Sequence, residues 1–311
     1  MSQSHERQNP AFYALLAVLV FMSIGPVLLM LINSFKLDVD IISGTTGLIF
    51  LPTIRNYETA LCDVLWYEVE HLDFCSLKFG GAFINSLIIA LISTALTLVI
   101  GCMAAYALVR FRFMGRDTVS LTTLMVRMVP PAVLLVPVFG LWNNEFCIGK
   151  TTWVGEWIRD VFGGRGDVCL AGTHSGIILV SGAMNLPFVI WILQSFIVQV
   201  PRSLEEAARV DGAGPFQVFF KVVLPLIRPG LAAAAIFTFR IAWNEYLLAS
   251  ALSDRNTKTV PILIVNNMSE FNVEWGVIMA TGMLLAIPPI IFTLIASRQI
   301  ITGMTAGAVK G

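Results

Sequence analysis

The chain has 311 residues, of which 57% are hydrophobic and only 13% are charged, and its mean hydropathy is +0.80. Soluble domains carry about 25% charged residues, so this composition excludes an ordinary water-soluble fold and indicates a membrane protein. Twenty basic and twenty acidic residues cancel to zero net charge, which gives no reason to expect nucleic acid as a partner. The five cysteines and three histidines lack the spacing of a zinc module, so no metal site is expected.

Six apolar segments are long enough to cross a bilayer as helices, because a hydrocarbon core of ~30 Å takes about 20 helical residues. The expected fold class is therefore all-α, a polytopic membrane protein with six transmembrane helices. Four segments contain no acidic or basic residue, whereas the third contains Arg127 and the fifth contains Arg240 and Glu245. In chain order, the predicted spans are about 11–34, 82–109, 118–142, 176–198, 229–252 and 275–297.

The distribution of charge predicts the orientation, because Lys and Arg in short connections are retained in the cytoplasm. With six spans and both termini inside, the inner segments hold ten basic and five acidic residues, and the outer segments hold eight basic and fourteen acidic residues. We therefore expect one transmembrane domain over 11–311 after a cytoplasmic tail over 1–10. The predicted outer loops are 35–80, 143–175 and 253–274, and the long cytoplasmic segment is 199–228.

Four of the five cysteines lie in the two long outer loops, two in each. Cys62 and Cys75 share the first loop, Cys147 and Cys169 share the second, and Cys102 lies within a span. An oxidising compartment would allow the disulfides Cys62–Cys75 and Cys147–Cys169. Four free thiols are the alternative, because connectivity does not follow from sequence alone.

The cytoplasmic segment 199–228 is patterned as two helices joined by a turn. Ser203 and Glu206 are spaced as a capping box, which predicts that the first helix starts at Ser203. Gly212 is expected to end this helix and Pro215 to begin the second. Pro225 and Pro229 are expected to break the second helix before the fifth span. This pattern alone fits both a connector lying in the lipid headgroups and a surface for a protein partner.

A spaced motif decides between these alternatives, and it reads Glu206, Ala207, Ala208, three residues, Gly212, nine residues, then Val222, one residue, Leu224 and Pro225. It resembles the EAA signature of bacterial ABC importer permeases, with Val222 in the isoleucine position. Further segments resemble the carbohydrate subfamily related to the maltose-system permeases, and these are Asp211-Gly212-Ala213, Arg127-Met128-x-Pro130-Pro131, Trp243-Asn244-Glu245 and Thr305 to Gly311.

The resemblance implies a type I ABC importer permease fold in which the first cytoplasmic helix seats on an ATP-binding subunit. The implied coupling residues are Ser203, Glu205, Glu206, Ala207, Ala208, Asp211, Gly212, Leu224 and Pro225. It further implies a dimer of ATP-binding subunits, a second homologous permease subunit, a periplasmic or lipid-anchored solute-binding protein and a location in the bacterial inner membrane. The chain itself would then be no enzyme and bind no cofactor, with ATP and Mg held by the partner.

Ionisable residues inside spans are costly and face a cavity or one another, so Arg127 and Glu245 are expected to form an interhelical pair. That pair would either only lock two spans together or contact the solute. The predicted residues of the solute path are Arg127, Asn185, Trp191, Arg240, Trp243, Asn244 and Glu245, because amide, charged and aromatic groups together suit a sugar.

The solute expected from the resemblance is a sugar, oligosaccharide or polyol, and the alternative is a non-sugar solute such as a glycerol-phosphate compound. An intramembrane enzyme is excluded, because the predicted spans contain no histidine and a single acid, Glu245. A secondary transporter is the more distant alternative, since the sequence contains no inverted repeat. A secondary transporter would also have no use for the cytoplasmic motif.

Overall fold

The structure is a computed structural model that describes residues 10–44, 47, 49–65, 78–145, 147–148, 168–268 and 273–308. The helices of the first half are α1 (Pro10–Ser34), α2 (Asp38–Ser43), α3 (Arg55–Ala60), α4 (Phe79–Arg110), α5 (Arg116–Val126) and α6 (Pro131–Gly140). A π-helical turn (Leu141–Glu145) and the strands β1 (Cys147–Ile148) and β2 (Val168–Cys169) follow. The second half contains α7 (His174–Gln199), α8 (Arg202–Val210), α9 (Pro215–Val218), a π-helical turn (Phe219–Val223), α10 (Leu224–Leu226), α11 (Arg228–Trp243), α12 (Leu247–Leu252), α13 (Val260–Asn266) and α14 (Trp275–Ala308).

The all-α fold class is confirmed, since the only strands in the described ranges are an antiparallel pair of two residues each. Four helices are long and apolar enough to cross a membrane, and two bent helix pairs bring the number of spans up to six. The four are α1, α4, α7 and α14. Three of them end within three residues of the predicted limits, and α14 continues beyond 297 to Ala308.

The third predicted span, 118–142, is not one straight helix. The helices α5 and α6 lie on either side of residues 127–130 and are bent by 98° relative to each other. The break follows from Pro130 and Pro131, since a proline disfavours α geometry in the residue before it and lacks an amide hydrogen. Pro130 is accordingly extended, and Pro131 occupies the first turn of α6.

The fifth predicted span, 229–252, is interrupted as well. Helix α11 ends at Trp243 and α12 begins at Leu247, so residues 244–246 form a break inside the apolar segment. A second bend, of 74°, separates Pro215–Leu226 from α11. The predicted break of the cytoplasmic helix by Pro225 and Pro229 is found at Ile227, which lies between these two prolines.

The chain divides into two compact units. The first unit is Met1–Phe79 with Ile264–Ala286. Within it, Asn56 Nδ2 donates to the carbonyls of Ser34 at 2.9 Å and Lys36 at 2.7 Å, and Asp38 Oδ1 accepts from the Gly276 amide at 2.7 Å. These bonds satisfy the backbone where α1 ends and α14 begins.

The second unit is Gly80–Leu263 with Ile287–Gly311, and it contains both bent pairs. Its α4 and α7 pack closely through small residues. A Cβ on Gly101 would come within 2.6 Å of Val189 Cγ1, and Thr97 Oγ1 donates to the Gly182 carbonyl at 3.3 Å. Close approach of this kind is typical of membrane helix pairs, and it makes α4 and α7 the rigid centre of this unit.

Candidate coupling surface and membrane cavity

Helix α8 begins earlier than the capping-box pattern predicts. Its first residue is Arg202 and its N-cap is Pro201, with no side chain capping the end. Ser203 therefore lies in the first turn, and the predicted capping box with Glu206 does not form. A proline N-cap is fixed in φ and extended, so it can start a helix without a hydroxyl acceptor.

The end of α8 agrees with the sequence prediction at Gly212. This residue has φ of 86°, the left-handed conformation that glycine adopts most easily. The Ala213 amide donates to the Ala208 carbonyl at 2.9 Å, which closes the helix end. Pro215 then occupies the first turn of α9, as predicted. The turn between the two helices is thus fixed by backbone geometry.

The residues of the predicted coupling motif mostly face outward. The exposed residues are Ser203, Glu206, Ala207, Asp211 and Gly212. The half-buried residues are Ala208, Leu224 and Pro225. We use the name α8 surface for Ser203, Glu206, Ala207, Ala208, Asp211 and Gly212. Glu205 is the exception, because it is only 3% exposed and turns into the chain's own interior. Its side chain is therefore not part of the α8 surface, and its predicted role in coupling stays a prediction.

Large apolar side chains next to the α8 surface are exposed in the described part of the chain. Val210 is 88% exposed, Phe216 is 74% exposed and Phe220 is 56% exposed. Such a patch beside small residues and charged groups marks an interaction site. A Cβ built on Gly212 would meet nothing within 4 Å, so the space beside it is open.

A cavity of about 180 Å³ lies in the second unit between the two breaks of the apolar segments. Three residues of the predicted solute path, Arg127, Asn185 and Glu245, line it together. Arg127 lies at the break between α5 and α6, and Glu245 lies at the break between α11 and α12. The structure thus brings together ionisable groups that are far apart in sequence, as expected from the cost of charge in the bilayer.

Arg127 and Glu245 line the same cavity but do not form the predicted ion pair within the described part of the chain. The Arg127 guanidinium lies over the Phe188 ring, 4.0 Å from its centroid. The Phe188 ring in turn makes an edge contact with Phe237 at 5.8 Å. Glu245 Oε1 accepts from the Leu248 amide at 2.9 Å and so caps α12. Each charge is held by a local partner, which explains why the two remain separate.

Two polar residues of α7 complete the cavity wall. Asn185 Nδ2 donates to the Ser181 carbonyl at 2.8 Å, which leaves its side-chain oxygen as an acceptor. The Ser181 hydroxyl is buried and has no hydrogen-bond partner in the described structure. A buried hydroxyl without a partner costs free energy unless something else satisfies it. The sequence analysis missed Ser181 and Phe188, because neither residue type is distinctive in an apolar helix.

The other four predicted path residues do not line this cavity. Trp243 is only 1% exposed and packs on Phe239 with parallel rings 5.8 Å apart, so it is a core residue. Arg240 and Asn244 are exposed and joined by a bond from Asn244 Nδ2 to the Arg240 carbonyl, at 2.9 Å. Trp191 is 53% exposed on the side of α7. A buried ring and outward-facing side chains cannot contact a solute in this cavity.

The outer-loop cysteines are partly described. Cys62 is disulfide-bonded. Its predicted partner, Cys75, lies outside the described residues. Cys147 and Cys169 are directly opposite each other in the register of β1 and β2. Opposed residues of an antiparallel pair have a Cα separation compatible with a disulfide, so the backbone is consistent with Cys147–Cys169. Both predicted pairings stay predictions. Cys102 is a buried free thiol.

Apolar spans, two of them broken around a polar cavity, together with an exposed small-residue helix, define a membrane transport subunit rather than an enzyme. The chain belongs to the family of binding-protein-dependent transport system inner membrane components, whose model matches residues 97–304. This match covers two thirds of the chain and includes the cavity and the α8 surface. The predicted permease family is thereby confirmed.

Known relatives agree with this assignment. The chain is 39% identical over 236 residues to the trehalose transport system permease protein SugB of Mycobacterium tuberculosis, covering 75% of this chain and 78% of the relative. It is 31% identical over 301 residues to the diacetylchitobiose uptake system permease protein DasC of Streptomyces coelicolor, covering 95% of each. A solved bacterial ABC transporter involved in alginate import has the same fold, with a TM-score of 0.67 and 20% identity over 96% of this chain and 98% of that one.

Proposed function

We propose that the chain is the membrane-spanning permease subunit of an ATP-driven, binding-protein-dependent importer for a neutral carbohydrate, meaning a sugar, an oligosaccharide or a polyol. The observation that carries this proposal is the exposed α8 surface with its motif, in a chain whose apolar segments break around a polar cavity. The related permeases named for trehalose and diacetylchitobiose support a carbohydrate as the solute.

The α8 surface is the proposed seat of the ATP-binding subunit. Ala207 and Gly212 have no bulky side chain, so a partner can approach the backbone closely. Glu206 offers an exposed carboxylate to a basic group of that partner, and the exposed Phe216 and Phe220 extend the contact. Charge pairing with apolar anchors is the usual composition of a specific interface. ATP and Mg are bound by the partner, and this chain contributes no nucleotide site.

The cavity is the proposed solute path, and its hydrogen-bonding groups favour a neutral hydroxylated solute. Arg127 can only donate, ionised Glu245 can only accept, and Ser181 can do both. A hydroxyl group also donates and accepts, so adjacent hydroxyls of a sugar or polyol can satisfy all three. An anionic solute would pair with Arg127 but face the negative charge of Glu245. A glycerol-phosphate compound is therefore the less favoured alternative.

The proposed orientation has both termini in the cytoplasm of a bacterial inner membrane. The excess of basic residues in the predicted inner segments supports it, and it puts α8 on the side where ATP is present. The proposed assembly further contains a second homologous permease subunit, a dimer of ATP-binding subunits and a periplasmic or lipid-anchored solute-binding protein.

Reconstituted transport tests the proposal. We expect purified complex in proteoliposomes to take up a radiolabelled sugar from a panel that includes trehalose and diacetylchitobiose, and to require ATP hydrolysis. Glu206→Lys reverses an exposed charge without removing a capping bond, so the variant should insert normally but lose the ATP-binding subunit during purification. Uptake driven by an ion gradient without that subunit would instead identify a secondary transporter.

A further inference from the structure

Glu205 is buried although it lies on a short cytoplasmic helix next to the exposed Glu206. Its Oε1 lies 2.6 Å from Arg110 Nε at the end of α4, and its Oε2 accepts a hydrogen bond from the Tyr106 hydroxyl at 3.0 Å. The side chains of Arg110 and Glu205 are only 7% and 4% exposed. Successive helical residues point about 100° apart, so the two neighbouring acids face opposite partners.

Arg110 connects this ion pair to a third element. Its Nη2 donates to the carbonyls of Ile197 at 3.0 Å and Val200 at 2.8 Å, at the C-terminal end of α7. A helix end has unsatisfied carbonyls and a partial negative charge, and a guanidinium satisfies both. One arginine therefore joins the ends of α4 and α7 to α8.

Apolar packing fixes the same junction. The Tyr106 ring contacts the Phe219 ring at 4.9 Å and the Phe111 ring at 6.1 Å, in edge-on geometry. Val109, Ile197, Val200 and Phe219 are buried in one cluster. The ion pair is thus largely buried, and a charge pair in such surroundings holds its geometry more strictly than an exposed pair does.

Helix α7 extends as one helix, with Pro187 inside it, from this junction to the membrane cavity. It ends next to Arg110, and it carries Ser181 and Asn185, which line the cavity. If α8 is held rigidly to the end of α7, a displacement of α8 therefore moves the cavity wall. A loosely attached α8 would instead tilt alone when a partner pulls on it.

We propose that Glu205 is a positioning residue for coupling: through Arg110 and Tyr106 it locks α8 to α4 and α7, so that movement of the ATP-binding subunit reaches the cavity. This inference rests on the proposed seat of that subunit on α8. Glu206 then makes the contact between subunits, and Glu205 transmits its movement within the chain.

A thiol introduced by Ser181→Cys reports on the cavity. Its alkylation rate is measured in the purified complex with the ATP-binding subunit, without nucleotide and with ATP plus vanadate, after subtracting the labelling of the protein without this substitution. We expect nucleotide to change the rate severalfold. In the Glu205→Gln and Tyr106→Phe backgrounds the ratio of the two rates should fall towards one, while the ATP-binding subunit still copurifies.

The two variants separate charge from folding. Tyr106→Phe removes only one hydroxyl and keeps the ring contacts, so it should fold normally even if Glu205→Gln leaves the buried Arg110 charge too costly. Asp117→Asn serves as the matched control, because it removes the carboxylate of an exposed ion pair with Arg116. The control should keep the full nucleotide-dependent ratio.

An unchanged ratio in both variants would overturn the inference. Loss of the ATP-binding subunit from both would also overturn it, because Glu205 would then only fold the contact surface. A failure of the proposed function gives a different result, since the complex with Ser181→Cys as its only substitution would then hold no ATP-binding subunit or show no response to nucleotide.

Discussion

Glu245 combines two functions that usually belong to different residues. One carboxylate oxygen caps α12 by accepting from the Leu248 amide, and the side chain also lines the cavity beside Arg127. The cap needs only an acceptor oxygen, whereas pairing with a hydroxylated solute or with Arg127 gains from the negative charge. These two contributions can therefore be separated by a substitution that keeps the oxygen.

We expect Glu245→Gln to lower uptake about tenfold while the amount of inserted complex stays the same, since the amide oxygen can still cap α12 and a tenfold change equals about 1.4 kcal/mol. Uptake in proteoliposomes and quantitative immunoblotting of the membrane measure the two effects. Glu245→Ala is the comparison variant, because it also removes the cap and should cost about 1 kcal/mol of stability. Disappearance of the Gln variant from the membrane would make Glu245 a structural lock only.

The turn after α8 combines a left-handed backbone with open space beside it. Gly212 has φ of 86°, and no described residue comes within 4 Å of the position that a Cβ would take there. A side chain here costs roughly 1–2 kcal/mol for the left-handed backbone. Any larger effect must come from a partner that occupies the empty space.

Gly212→Leu should therefore insert normally but lose the copurifying ATP-binding subunit and uptake together. Gly115→Leu is its matched control, because Gly115 has φ of 89°, also faces open space, and lies outside the coupling motif. The control should have the same backbone strain and retain the subunit. Equal loss of the subunit in both variants would attribute the effect to strain and contradict a partner at α8.

The orientation of the whole molecule can be tested through its cysteines. If the first two outer loops face an oxidising compartment, peptide mass spectrometry without reduction should find Cys62 linked to Cys75 and Cys147 linked to Cys169. A disulfide that closes a loop of about 15 residues stabilises by about 3 kcal/mol, so reduction should also lower the melting temperature. Cys102, buried in α4, should be alkylated only after unfolding. Free thiols at all four loop positions would contradict the outside location.

The sequence by itself determined the features that depend on neighbouring residues. Long uncharged segments became α1, α4, α7 and α14 because crossing a bilayer requires each segment to satisfy its own backbone. The motif from Glu206 to Pro225 identified the family, and Gly212 and Pro215 marked the helix ends. Each of these signals lies within one continuous stretch of the chain.

Only the tertiary structure decided which side chains meet across the fold. Glu205 and Glu206 are identical in type, yet only packing against α4 buries one of them. Trp243 was predicted to lie on the solute path and is a core residue, because Phe83 of α4 packs edge-on against its ring at 5.7 Å. Arg127 and Glu245 share a cavity without pairing, since Arg127 lies over the Phe188 ring of α7 and Glu245 accepts from the Leu248 amide. Contacts between residues about a hundred positions apart in the chain cannot be read from hydropathy or spacing, because the distances between those side chains are set by how the helices pack.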